Sequence, residues 1–265
     1  MLIAQQLIEG AVKAGADAIK FQKRTIERVY TKEELDKPRE SPWGTTNKQQ
    51  KEGLEFNKIE YEAIDDYCKE LHIPWFASAW DLESVEFLKE FNLPFNKITS
   101  ALLVHDELLY AIAEQQKHTF IATGMSTLEE ISHAVKIFRD TKCPFELMHC
   151  NSAYPAKTTE LNLKMIPELR NMFNCNVGYS CHSPGILPPV LAVMYGATSI
   201  EKHITIDRTM YGSDQPSSVE LHGFEKMVEY IRTAEECIGD GIKRIYPDEE
   251  KVKAKLRRVK DVESN

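Results

Sequence analysis

The sequence predicts an α/β protein of the TIM-type (β/α)8 barrel class, and three observations lead to this prediction. Short apolar strand patterns alternate with helix patterns along nearly the whole chain, which is typical of parallel strands joined by right-handed crossovers. At 265 residues the chain is long enough to bury one large core. Polar residues collect where several predicted strands end, and this is the edge at which such barrels carry their active sites.

The predicted elements follow one another with little interruption. A first helix at 2–13 precedes all the strands, and Asp81 and Thr127 are suitable N-caps for two of the later helices. The strands are predicted at 17–22, 74–80, 95–100, 118–124, 145–150, 175–181 and 199–205. The other helices are predicted at 61–71, 82–91, 107–115, 128–139, 163–172, 184–195 and 219–238.

This order is one strand short of a closed eight-stranded barrel, because a helix stands where the first strand is expected. We therefore expect a barrel domain at 1–243 that lacks its first strand, followed by a C-terminal linker or tail at 244–265. An open barrel leaves two unpaired strand edges, which proteins normally cover or pair. We expect the isolated chain to be oligomeric or poorly stable.

One long stretch, residues 23–56, is predicted to be irregular. It contains Pro38, Pro42 and Gly44 and mixes charges freely. A loop of this length at the carboxyl edge of a sheet is usually functional. A lid over the active site and a subunit contact are equally compatible with the pattern.

Composition limits the functional classes. A net charge of −8 argues against nucleic-acid binding as the main task. The chain has no apolar run of about 18 residues and no recognisable leader, so we expect a cytoplasmic protein without a membrane partner. The six cysteines form no CxxC pair, which favours reduced thiols. Cys181 is interpreted as a spectator, with a soft ligand or a nucleophile as the alternatives.

Two histidines, His182 and His203, each lie close to the end of a predicted strand. Either one alone is more typical of a hydrogen-bonded structural residue than of a ligand. If the two strands are parallel neighbours, both imidazoles emerge at the same edge and form a candidate site for a divalent metal. Strand alternation also places Glu201 and Thr205 on the same face as His203.

Two predicted strands carry lysines on one face. Lys20 alternates with Gln22, and Lys97 alternates with Thr99. A buried lysine is unfavourable unless an anion or carboxylate pairs with it. Three interpretations remain open: a bound phosphate, an internal salt bridge with Glu201, or a lysine that forms a Schiff base.

Further polar side chains follow two other strands. Asn151, Ser152 and Tyr154 come directly after the strand at 145–150, and Asp214 belongs to a segment that is expected to overhang the same opening. Such clusters also occur in ordinary loops, so they are suggestive of a polar ligand without specifying it.

Six motifs in this order resemble the sialic acid synthase family, and the resemblance extends from about residue 2 to residue 258. The motifs are Lys20-Phe21-Gln22, Lys97-Ile98-Thr99-Ser100, the segment 123–130, the segment 149–155, the segment 178–182, and Glu201-Lys202-His203 through Asp207-Arg208-Thr209. The resemblance implies the barrel domain of an N-acetylneuraminate synthase or of a relative that makes legionaminic, pseudaminic or spore-coat sugars.

The implied reaction condenses phosphoenolpyruvate with N-acetylmannosamine, a related N-acetylated amino sugar or its 6-phosphate, releasing phosphate and a nine-carbon 2-keto acid. The resemblance assigns Mn²⁺ or Mg²⁺ to His182 and His203, and it implies a homodimer. It implies catalytic roles for Lys20, Lys97 and Glu201. The positions it assigns to substrate binding are Lys20, Gln22, Lys97, Ser100, Asn151, Ser152, Tyr154, Ser180 and Asp214.

The chain departs from the family pattern in several places. The first strand and its glutamate are absent, Ser100-Ala101-Leu102 replaces Ser-Gly-Glu, and Ser180-Cys181-His182 replaces Ser-Asp-His. The sequence stops where the family's linker leads to an antifreeze-like C-terminal domain, which caps the partner's active site in the family, so we expect that domain to be missing. Two readings follow: a synthase that is active with its remaining groups, its first strand coming from a neighbouring chain or missing through an incomplete reading frame, or an impaired barrel that binds ligand or a complete synthase as a scaffold.

Overall fold

The computed structural model describes residues 1–257 and contains a curled parallel sheet wrapped by helices. The sheet has seven strands: Ile19–Lys23 (β1), Trp75–Ala79 (β4), Phe95–Ile98 (β5), His118–Ala122 (β6), Phe145–Cys150 (β7), Val177–Cys181 (β8) and Ile200–Lys202 (β9). Four short strands lie outside it: Pro38–Ser41 (β2), Gly44–Thr46 (β3), Ile204–Thr205 (β10) and Val219–Glu220 (β11).

Twelve helices surround or extend the sheet within the described residues. They are Leu2–Lys13 (α1), Ile26–Val29 (α2), Lys32–Leu35 (α3), Asn47–Leu54 (α4), Lys58–Glu70 (α5), Leu82–Lys89 (α6), Asp106–Ala113 (α7), Leu128–Asp140 (α8), Met165–Phe173 (α9), Leu187–Met194 (α10), Leu221–Ile238 (α11) and Pro247–Leu256 (α12). None of them is both long and apolar enough to cross a membrane.

The predicted architecture is confirmed: the strand order is β1-β4-β5-β6-β7-β8-β9, and every pair in it is parallel. β1 and β9 stand at the two ends of this order, so in the part of the chain that the structure describes the barrel is open between them. A cavity of about 950 Å³ lies at this opening and is lined by both strands and by α1 and α11. The division of the chain at residue 243 stays a prediction, and residues 258–265 of the predicted tail lie outside the described residues.

Helices and sheet bury an apolar core between them. Tyr61 of α5 stacks on Trp75 of β4 with ring centroids 5.7 Å apart, and both side chains are buried. Inside the curled sheet, Phe76, Phe95 and Phe120 pack edge to face or tilted on one another. These rings fill the lower part of the barrel, which leaves the carboxyl ends of the strands for polar side chains.

Two sequence-based predictions of local structure were wrong. Residues 23–56 are not irregular, because they contain three helices and the β2–β3 hairpin; capping boxes at Thr31 and Thr46 begin two of those helices. The strand predicted at 199–205 is broken at His203, whose carbonyl oxygen accepts a hydrogen bond from Val219 N at 2.9 Å. The backbone therefore leaves the main sheet and forms the short β10–β11 pair.

Candidate active site

A buried ion network occupies the inside of the open barrel. Glu201 of β9 lies between two lysines, with Lys20 Nζ at 2.8 Å from Oε1 and Lys97 Nζ at 3.3 Å from Oε2. Ser180 of β8 donates a hydrogen bond to Oε1 at 2.9 Å. The side chain of Lys97 is only 2% exposed, and those of Lys20 and Glu201 are 17% exposed.

This network sets the protonation of its members. Burial alone would raise the pKa of Glu201, but the charges of Lys20 and Lys97 and the hydrogen bonds it accepts hold that pKa well below its ordinary value. Burial lowers the pKa of Lys20, Lys97 lowers it further, and Glu201 partly offsets both effects. The carboxylate is therefore ionised, and it shares one negative charge between two lysines.

His182 follows β8 and is held in one tautomer by its neighbours. Its Nδ1 lies 2.6 Å from the carbonyl oxygen of Asn151, and a carbonyl only accepts, so Nδ1 carries the proton. Nε2 then has a free lone pair, which accepts a hydrogen bond from the Tyr154 hydroxyl at 2.9 Å. Burial lowers the pKa of His182, which favours this neutral form.

His203 stands next to His182, with the two ring centroids 5.5 Å apart. Burial, together with the charge of Lys20, lowers the pKa of His203 to about 4. Asp214 Oδ2 lies 4.0 Å from His203 Nδ1, and the Asp214 side chain is 51% exposed. The sequence prediction that these imidazoles lie at one edge is confirmed, and both are neutral.

The two imidazoles suit a divalent metal. A neutral imidazole that donates its other N–H to a backbone carbonyl is the usual arrangement of a metal-ligating histidine, and His182 has it. Residues 1–257 contain no cluster of three or more His, Cys, Asp or Glu side chains that would enclose an ion. The protein thus offers two nitrogen ligands and would leave the other positions to water or substrate.

Comparison with known proteins decides the family. The model of the NeuB family matches residues 7–243. The chain belongs to the NeuB family. N-acetylneuraminate-9-phosphate synthase of Mus musculus is 34% identical over 96% of this chain and 72% of its own length. N,N'-diacetyllegionaminic acid synthase of Campylobacter jejuni is 32% identical over 98% of this chain and 81% of its own.

A solved structure supports the same assignment for this NeuB family chain. The N-acetylneuraminic acid synthetase of Leptospira borgpetersenii, crystallised with citrate, superposes with a TM-score of 0.83 at 32% identity, covering 97% of this chain and 87% of that one. A 3-deoxy-D-arabino-heptulosonate 7-phosphate synthase of Thermotoga maritima, at 13% identity and a TM-score of 0.70, shares the fold alone. The family assignment makes the protein a transferase of the synthase type, and its relatives are named as synthases of sialic, legionaminic and pseudaminic acids.

The remaining predicted site residues of this NeuB chain differ in whether their polar side-chain atoms already have hydrogen-bond partners within the protein. Ser152 Oγ is buried and has no hydrogen-bond partner within the described residues, whereas Ser100 Oγ accepts a hydrogen bond from Gly124 N at 3.1 Å. Asn151 directs its amide into its own loop, donating to Glu160 O and accepting from Ala153 N. Asn151 therefore takes part in the site through its backbone carbonyl, which accepts a hydrogen bond from His182, while its side chain is hydrogen-bonded within its own loop.

Tyr154 links the loop after β7 to both histidines. Its ring stacks on His182 at 4.2 Å and meets His203 edge-on at 5.6 Å. Although 44% of the residue is exposed, its hydroxyl points inward, and burial, reinforced by the charge of Asp214, raises its pKa. The phenol stays protonated and can donate.

Cys181 faces away from the histidines. Its Sγ contacts Ser183 Oγ at 3.2 Å and Lys202 Nζ at 3.5 Å, and the residue is fully buried. This position matches the spectator interpretation, because strand alternation directs Cys181 to the opposite side of β8 from Ser180 and His182.

Sequence reasoning missed three polar side chains at the same edge: Ser78 on β4, and Arg24 and Trp80 directly after β1 and β4. Ser78 Oγ, Arg24 Nε and Trp80 Nε1 are all buried and have no hydrogen-bond partner in the part of the chain that the structure describes. The signal was available, because Arg24 continues the Lys20, Gln22 alternation by one more step.

Proposed function

We propose that this chain condenses phosphoenolpyruvate with an N-acetylated amino sugar, N-acetylmannosamine or a relative, or its 6-phosphate. The products are a nine-carbon 2-keto sugar acid and inorganic phosphate. The observation that carries the proposal is the buried Lys20–Glu201–Lys97 network beside two neutral histidines. Fixed cations next to potential metal ligands match the needs of an anionic enol substrate and an aldehyde.

The lysines are assigned to phosphoenolpyruvate. One carboxylate serves two ammonium groups, so the network carries an excess positive charge that an anionic substrate would neutralise. Lys97 Nζ also has no hydrogen-bond partner of good geometry among residues 1–257. Hydroxyl donors complete the proposed pocket around the anion: Ser78, Ser100, Ser152 and Ser180.

His182 and His203 are assigned to Mn²⁺ or Mg²⁺, with the Nε2 lone pair of His182 available once the Tyr154 hydroxyl turns aside. When bound, such an ion polarises the carbonyl group of the open-chain sugar. Glu201 is proposed to stay ionised throughout, because its pKa is strongly lowered; it fixes both lysines and stabilises positive charge that develops near it. The Tyr154 phenol is proposed to donate a hydrogen bond to the sugar.

In the proposed reaction, the methylene carbon (C3) of phosphoenolpyruvate forms a bond to the aldehyde carbon, whose oxygen takes up a proton. Water then adds to the neighbouring carbon (C2), which carries the phosphate ester, and loses a proton. The C2–oxygen bond to phosphate breaks, which releases inorganic phosphate and leaves the 2-keto group. Lys20 and Lys97 hold the charge of the departing phosphate, as fixed donors in a largely buried pocket do efficiently.

The β2–β3 hairpin is proposed to act as a cover for this site. Tyr211, in the loop that also carries Asp214, donates a hydrogen bond to Glu40 O at 3.2 Å, and its ring meets Trp43 edge to face at 6.0 Å. The hairpin is thereby tied to the loop beside His203. The homodimer stays a prediction, which light scattering of the purified chain would test.

The test is phosphate release from phosphoenolpyruvate by the purified chain with Mn²⁺, with and without N-acetylmannosamine and its 6-phosphate. Release that depends on sugar and is abolished by EDTA supports the proposal. No release with any acceptor, while phosphoenolpyruvate still binds in a parallel titration, would contradict it and support the scaffold reading. Lys97→Ala should abolish release, and Lys89→Ala, on the outer surface, is the matched control.

A further inference from the structure

An arginine and a tryptophan form a pair at the mouth of the open barrel. Arg24 and Trp80 each come one residue after a strand, and the two strands are still paired at this level, because Trp80 N donates to Lys23 O at 3.0 Å. In the register of these strands Gln22 lies beside Ser78. Alternation then places both Arg24 and Trp80 on the inner face, one step further out.

The guanidinium of Arg24 is held in a defined position. Its Cζ lies 4.1 Å from the centroid of the Trp80 ring, and its Nη2 donates to Gln22 Oε1. Stacking on an indole and one hydrogen bond restrict the planar group without neutralising it. The guanidinium is therefore a preorganised hydrogen-bond donor for a ligand.

Arg24 has no counter-charge in the described part of the chain. Neighbouring cations are paired: Lys23 with Glu55 at 2.9 Å and Arg28 with Glu83 at 2.5 Å. No carboxylate among residues 1–257 lies within 4.0 Å of the Arg24 guanidinium, and its Nε is buried without an acceptor. A guanidinium that is partly buried, oriented and unpaired is a favourable partner for an anion.

The position of Arg24 relates it to the proposed active site. It stands on the same face of its strand as Lys20 and Gln22, further toward the mouth. Lys20 and Lys97 share Glu201 at the inner end, so Arg24 is a separate cation at the outer end.

We propose that Arg24, held by Trp80 and Gln22, binds an anionic oxygen of a substrate at the outer end of the active site. This inference rests on the proposed function. Two substrate groups have the required chemistry: the carboxylate of phosphoenolpyruvate and the phosphate ester of a phosphorylated amino sugar. Either one accepts two parallel hydrogen bonds from a guanidinium.

The experiment measures equilibrium binding to the full chain by calorimetric titration with Mn²⁺, using phosphoenolpyruvate, N-acetylmannosamine 6-phosphate and N-acetylmannosamine. For Arg24→Gln we expect about tenfold weaker binding, or more, of one anionic ligand, the loss of one charged hydrogen-bonding group. Binding of the neutral sugar and the melting temperature should stay unchanged. Arg24→Lys should restore part of the affinity, and Arg28→Gln, in the same segment, is the matched control.

The outcomes separate the two sources. If Arg24→Gln binds phosphoenolpyruvate more weakly, Arg24 is the partner of its carboxylate. If the variant loses affinity only for N-acetylmannosamine 6-phosphate, Arg24 is the partner of the phosphate ester of the sugar. If both anionic ligands bind to Arg24→Gln within twofold of the Arg28→Gln control, the inference is overturned. If the wild-type chain binds the anionic ligands but releases no phosphate in the turnover assay, the proposed function is contradicted. Weaker binding to Arg24→Gln would then still support this inference.

Discussion

Replacing Glu201 with Gln tests the ion network at the centre of the proposed site. The amide keeps the shape of the side chain and one acceptor oxygen for Ser180, so the main change is the lost negative charge. Lys20 and Lys97 are then left facing each other without a counter-charge. We expect the variant to fold and to be less stable than the wild type.

The magnitude follows from the two ion-pair distances. At 2.8 and 3.3 Å, with an effective dielectric constant of about 20, each pair contributes roughly 5 to 6 kcal/mol of gross attraction. Desolvation of a buried carboxylate offsets several kcal/mol of this sum, so the net loss on breaking one buried partner is about 3 to 5 kcal/mol. Because the side chains of Lys20 and Glu201 are slightly exposed to solvent, we expect a loss near the lower end of this range of free energies. A loss of about 3 kcal/mol lowers the melting temperature by about 6 to 12 °C.

The assay is thermal unfolding followed by circular dichroism, with and without added phosphate. Phosphate should stabilise Glu201→Gln more than it stabilises the wild type, because the variant has two unpaired lysines for the anion to neutralise. Glu129→Gln, on the exposed face of α8, is the control and should melt like the wild type. A Glu201→Gln variant that melts within 2 °C of this control, with the same response to phosphate, would refute the charge balance described above.

Three further predictions concern separate features. His203→Ala should abolish Mn²⁺ binding in a calorimetric titration, whereas His222→Ala, on α11, should not; unchanged affinity in the first variant would remove the metal assignment. Burial would raise the pKa of Glu146, but nearby His118 and hydrogen bonds from Ser199 and Thr198 lower it below the ordinary value. The ionised carboxylate therefore stabilises the fold above about pH 4.3, and this stabilisation is lost as the pH falls through the lower pKa of the folded state. At pH 7 the free energy of unfolding of the wild type should exceed that of Glu146→Gln by about 1 to 3 kcal/mol, and the two values should converge in acid. Denaturant unfolding across pH measures this, and a gap independent of pH would contradict it. Thr127→Ala, which removes the capping box of α8, should lower the free energy of unfolding by about 1 kcal/mol, whereas Thr127→Ser, which keeps the capping hydroxyl, should change it little; equal losses in the two variants would contradict the cap.

Much of the fold was predictable because its signals are local. The alternation of strands and helices requires only the periods of apolar residues, and the strand at 145–150 and the helix at 2–13 were predicted with their observed ends. The count of seven strands followed directly from it. Residues 23–56 were mispredicted because short helices begun by capping boxes, such as those at Thr31 and Thr46, have too few apolar positions to show a period.

The sequence by itself determined which residue types meet at the carboxyl edge of the sheet, because alternation with a period of two assigns Lys20, Lys97, Glu201 and His203 to one face of their strands. Only the tertiary structure decided which of them touch. The register and curl of the sheet decide that Glu201 bridges both lysines, that Tyr154 donates to His182, and that Arg24 lies on Trp80 with no counter-charge among residues 1–257. These distances join segments far apart in the chain, and they are set by strand pairing and packing that no local pattern encodes.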